Sequence, residues 1–90
     1  MMPKDLRPGD MVHDLTNLDA IAVLEVVVIS KSILRRRRPI KLRSVCTGGH
    51  WIRNGVAQWM AADVVADALK HRKVMVTRGD VVLKAEVEAQ

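Results

Sequence analysis

The chain of 90 residues contains no phenylalanine and no tyrosine, only two tryptophans, one cysteine and three prolines. With Trp51 and Trp59 as its only aromatics, it lacks the rings on adjacent strands that a single-strand stacking sheet requires. A lone Cys46 excludes an intrachain disulfide framework, which fits a reducing cytoplasm. The longest apolar run, Ala20 to Ile29, spans ten residues and carries Glu25, whereas a membrane helix needs about 20. The opening residues through Pro8 have no apolar core of the kind a secretory leader carries, so a cytoplasmic protein without a membrane span is expected. Ninety residues supply one small core, so the expectation is a single domain over 1–90 rather than an enzyme with a deep cleft.

What is present is aliphatic. Fourteen Val, nine Ala, eight Leu, five Ile and five Met make up most of the apolar half. Burying a Val or Leu side chain stabilises by about 1.5–3 kcal/mol, so such a core is feasible without cross-links. At this size the margin is thin, and a homo-oligomer is a common remedy. Val and Ile also favour strands.

Read along the chain, Pro8-Gly9-Asp10 is a turn that releases a strand in which Met11, His13 and Leu15 share a face. Ala20 to Ile29 is the strongest strand, apolar on both faces, and therefore either covered on both sides or facing another copy. A polar, basic segment from Ser30 to Pro39 follows. The next strand alternates, with Ile40, Leu42 and, after one slip, Val45 inward, and Lys41 and Arg43 outward. Asn54-Gly55 between His50–Arg53 and Val56–Met60 is a hairpin signal, because a type I′ turn needs positive φ at both positions. Its alternation puts Ile52, Ala57 and Trp59 in the core and Trp51, Arg53 and Gln58 outside. Val64, Val65, Ala68 and Leu69 recur at helical spacing, which predicts a short helix over 61–71 with cations at its C-terminal end. Val74–Thr77 and Val81–Ala89 flank Arg78-Gly79-Asp80 as a C-terminal hairpin, with Lys84 on its outer face.

The fold class expected is α+β, mainly β. Leu6-Arg7-Pro8-Gly9-Asp10-Met11-Val12, followed by Ala20 to Val26, resembles the opening of small SH3-like barrel modules of the KOW type. The resemblance covers about the first third of the chain and implies a small, partly open barrel. That family hosts nucleic-acid binders, protein adaptors and inactive structural parts, so it does not decide function.

One further absence is the most informative. Between Val26 and Ala62 there is no Asp or Glu, while the segment holds Lys31, Arg35, Arg36, Arg37, Arg38, Lys41, Arg43 and Arg53. The rest of the chain then has seven cations against ten carboxylates, so the net +5 is a +8 block set against −3. Such a block attracts phosphates or acidic protein surfaces, and forked guanidinium groups suit phosphate oxygens. Trp51 beside Arg53 offers a base-stacking platform for a bound nucleic acid. The plain alternative is a solvated loop that keeps an apolar domain dissolved.

Other motifs weigh less. Cys46 and His50 fall short of the four ligands of a structural zinc site, and no group completes a nucleophilic pair. Gly48-Gly49 is too short for a phosphate cradle, Arg78-Gly79-Asp80 reads as a turn rather than an adhesion tripeptide, and Asp63 and Asp67 form a solvated helix face. No catalytic residue, metal or cofactor is expected. The functional expectation is a non-enzymatic module that engages nucleic acid through residues 31–53. The alternative is a protein-interaction factor: an inhibitor, adaptor or assembly component, of the kind a phage or other mobile element encodes.

Overall fold

A computed structural model of the chain describes residues 1–46, 52–53 and 55–85. Six strands and one α-helix follow in the order β1 (Met11–Asp14), β2 (Ala22–Ile29), β3 (Ile40–Cys46), β4 (Ala57–Met60), α1 (Ala62–His71), β5 (Val74–Arg78) and β6 (Val81–Lys84). The strands form one sheet in the order β4-β3-β2-β1-β5-β6, with every neighbouring pair antiparallel. The fold is therefore α+β and mainly β, as its composition implies. No helix among the described residues is long and apolar enough to cross a membrane.

The core lies on one face of this sheet. Ala22, Leu24 and Val26 of β2 are completely buried, and Val12, Ile40, Leu42, Val74 and Val76 join Leu24 and Val26 in one cluster. The helix closes it with Val65 and Leu69, which lie four residues apart and so share a helix face. Asp63 accepts a hydrogen bond from the Val64 N–H, and Lys70 and His71 stand in the last turn, an arrangement that complements the helix dipole. The predicted helix is shifted by only one residue at its start.

Four sequence expectations are corrected. First, β4 pairs with β3, placing Lys41 opposite Trp59 and Leu42 opposite Gln58. Of the partner strand expected at His50–Arg53, the described residues, Ile52 and Arg53, are not in a strand, while His50 and Trp51 lie outside the described residues. The local turn survives, with Val56 N–H donating to Arg53 C=O at 3.0 Å and Gly55 at φ 77°. However, an isolated hairpin is marginal, and β3 offers a longer edge attached to the rest of the sheet. Second, Ser44 rather than Val45 turns inward: Ser44 is 2 % exposed and Val45 49 %. No slip is needed, because Ile40, Leu42 and Ser44 continue the period of two. Third, Ala57 is exposed and Trp59 half-buried, since β4 is an edge strand; Ile52 is buried as expected. In β1 the expected alternation holds: Met11, His13 and Leu15 are all half-buried on one side, while Val12 and Asp14 on the other are buried.

The fourth correction concerns the C-terminal hairpin. Its turn forms at Gly79-Asp80, with Gly79 at φ 57°, but a register shift between Val76 and Thr77 alters the pairing. Lys84 consequently points inward, 5 % exposed, and its ammonium donates to the carbonyls of Val74 and Ala85 at 2.8 and 3.2 Å. Val82 and Val81 are left exposed. An inward-pointing lysine on a sheet edge discourages further strand addition.

Candidate functional site

The basic segment divides into a tip and a flank. The tip is the β2–β3 connection, closed where Ser30 N–H donates to Pro39 C=O at 2.8 Å. Inside it, Ser30 Oγ accepts from the Ser32 N–H and Ser32 Oγ from the Leu34 N–H, at 3.1 and 3.2 Å. These bonds set up a 3₁₀ turn over Ile33–Arg35, and a further bond from Arg38 N–H to Arg35 C=O at 3.0 Å continues the chain reversal. Lys31 and Arg35 to Arg38 are all exposed. Ile33 and Leu34 are 72 % and 90 % exposed. Sequence reading passed over this apolar pair because it looked only at charge.

On the flank, Lys41 is half-buried on β3 and Arg43 is exposed. Glu25 faces Arg43 across the β2–β3 ladder and forms an ion pair with it, so Arg43 is the one predicted site residue already engaged by a carboxylate among the described residues. Removing it from the block of eight leaves seven cations free of an acidic partner there. Arg53 lies in the turn beside Ser44, where Ser44 N–H donates to Val56 C=O and Gly55 N–H to Ser44 C=O. At about 3.3 Å per residue of strand, that turn stands on the order of 13 Å along β3 from Ile40.

The aromatic partner of the block is Trp59. The Arg35 guanidinium lies 4.3 Å from its ring centre and the Lys41 ammonium 5.7 Å, so two of the predicted cations converge on a residue assigned to the core. The edge position of β4 explains this, since register places Trp59 opposite Lys41. Trp51 lies outside the described residues, as does His50, so neither the stacking platform nor the Cys46–His50 pair can be located. A cleft of about 200 Å³ beside the ring is lined by Arg38, Gln58, Trp59, Met60, Ala61 and Val64. It is smaller than the roughly 300–1,000 Å³ of typical small-molecule pockets.

A second charged region has a different character. Asp10 and Asp14 bracket β1, and both are fully buried. Arg78 grips Asp10 with two bonds, Nε to Oδ1 at 2.8 Å and Nη2 to Oδ2 at 2.9 Å, and also donates to Asp5 C=O at 3.0 Å. Arg72 Nε donates to Asp14 Oδ2 at 2.6 Å, and Asp14 Oδ1 accepts from the Thr16 N–H at 3.0 Å. Burial alone pushes the Asp10 carboxyl up, but the Arg78 fork and the Arg7 N–H together hold it below its ordinary value. Between the two aspartates, His13 is lowered by burial and its Nε2 lies 3.2 Å from Thr77 Oγ1. A larger cleft of about 520 Å³ is lined by Met1, Lys4, Asp5, Arg7, Arg78 and Leu83, but Arg78 is already committed to Asp10.

No group of three or more potential metal ligands occurs among the described residues. No known family model matches the chain, and no curated protein or solved structure shows significant similarity to it. The SH3-like resemblance of the opening residues stays an expectation.

Proposed function

We propose that the protein is a non-enzymatic module that binds nucleic acid through the tip and flank of the β2–β3 hairpin. The observation that carries this reading is the distribution of cations. Among the described residues, Lys31, Arg35, Arg36, Arg37 and Arg38 lie exposed in one hydrogen-bonded turn with no ion-pair partner, and half-buried Lys41 and exposed Arg53 add positive charge on β3 and in the turn beside it. A linear polyanion matches an elongated row of this kind, and forked guanidinium groups fit its phosphate oxygens. The Arg35–Trp59 contact restrains one arginine before binding, which lowers the ordering cost of using it.

Titration of labelled DNA and RNA across a salt series tests the proposal. If five cations contact phosphates, log K falls with log salt at a slope of about −4 to −5. Changing Arg35–Arg38 to Ala should reduce that slope to about −1 and weaken binding at every sequence alike. Unchanged binding in that variant, or none by the parent, would sink the reading. An acidic protein partner is the competing outcome, shown by capture of a polypeptide that survives nuclease treatment. Self-association is a separate proposal and rests on the outer face of β2, where Val23 and Val27 are only half-buried. Sedimentation at the 10.1 kDa monomer mass at high concentration would remove it.

A further inference from the structure

Phosphate recognition accounts for the arginines but not for Ile33 and Leu34. These two large aliphatic side chains are adjacent, almost fully exposed, and placed between Lys31 and Arg35 at the point of the hairpin. Single exposed hydrophobics are ordinary. Here, however, the pair is held by the Ser30 and Ser32 hydroxyl bonds within a 3₁₀ turn, so it is presented rather than left loose.

Resting on the nucleic-acid reading above, we propose that Ile33 and Leu34 form a wedge that enters the minor groove of double-stranded DNA. The wedge partly unstacks one base step and bends the bound duplex. Apolar side chains inserted between base pairs, with arginines on the flanking phosphates and groove walls, are how architectural proteins kink DNA. The tip supplies both components within eight consecutive residues, Lys31 to Arg38.

Two observations favour a duplex over the other polyanions. The Trp59 ring is covered by Arg35 at 4.3 Å, so that face is closed to a stacking base of a single strand. The cationic surface also continues along β3 to Arg53, on the order of 13 Å from the tip end of the strand. A planar layer of anionic lipid would engage the tip and leave that flank idle, whereas a bent duplex can follow it.

The experiment uses a short DNA duplex carrying a fluorescent donor and acceptor at its ends, the full chain, and the variant I33S/L34S. Both side chains are exposed, so the variant keeps the fold, which circular dichroism verifies. The parent should raise energy transfer on binding and should prefer a duplex with a central mismatch by about tenfold, because unstacking there is cheaper. The variant should bind intact duplex with the same salt slope, keeping affinity within about tenfold, yet lose both the bend and the mismatch preference. Binding without a change in transfer, or equal bending by the variant, overturns the wedge and leaves the phosphate reading intact. Tighter binding to single strands, or to phosphatidylserine vesicles, overturns the duplex assignment. Absence of binding to any of these probes overturns the wedge and the nucleic-acid reading together.

Discussion

At the β1–β5 seam, Arg72 and Arg78 each lie against a carboxylate that has no solvent exposure, whereas Arg35–Arg38 at the β2–β3 turn face solvent with no carboxylate beside them among the described residues. The residue type is the same and the physics is opposite. A buried Asp loses its hydration and is tolerable only where a fixed cation and hydrogen bonds replace the water. Once Asp10 and Asp14 sit at the two ends of β1, the arginines that flank β5 are structural parts of the ladder. The exposed arginines satisfy their hydration from solvent, contribute little to stability, and keep their charge for a partner. The two pairs take two carboxylates and two cations of the remainder together, so its −3 is unchanged and the basic face is set by the acid-free block alone.

The comparison can be broken most sharply at Asp10. Asp10→Asn should lower unfolding stability by about 2 kcal/mol, since it removes charge-assisted bonds from a buried acceptor whose arginine is itself partly hydrated. The denaturant midpoint should fall with an unchanged slope. Changing Arg36–Arg38 to Ala, by contrast, should move stability by less than about 0.5 kcal/mol. Equal losses in the two variants would show that the tip is structural as well.

Acid titration sharpens the same contrast. The folded Asp10 carboxyl is held below its ordinary value of 3.8, so the unfolded chain binds the proton first. Stability from this group is complete above that value and is lost as pH falls from it through the folded pKa. Asp10→Asn should flatten that part of the acid unfolding curve, whereas the arginine variant should leave its position unchanged.

The smallest expected effect lies at the junction of tip and flank. Arg35→Ala removes the cation over Trp59 and should cost about 0.5–1 kcal/mol, with altered tryptophan emission as the indole gains solvent. Arg37→Ala, one turn position away and without a ring contact among those observed, serves as the control. An identical response from both would mean that the Arg35–Trp59 contact does not persist in solution.

How much of this was legible in the sequence follows the range of the interactions. The helix over Ala62–His71 and the Gly79-Asp80 turn are local: they follow from helical spacing and from a glycine that adopts positive φ without a steric penalty. The acid-free block was visible as composition, and it contained every cation now at the tip. The pairing of β4 with β3, which lies more than ten residues earlier in the chain, is not encoded in the local Asn54-Gly55 signal. Trp59 was misplaced as a result, and with it the aromatic that meets Arg35. The signal that could have found the tip was present in Ile33-Leu34, an apolar pair inside an otherwise charged loop.

The sequence by itself determined an aliphatic, mainly β chain with one short helix and a segment free of acid. These properties depend on side-chain type and on spacings of a few residues, which the local backbone reads directly. Only the tertiary structure decided which charges are spent inside the molecule. Asp10 meets Arg78 across 68 positions and Asp14 meets Arg72 across 58, and no local pattern encodes such a pairing. It arises because the β1–β5 ladder brings the chain's two halves together and excludes water from carboxylates that then require a cation.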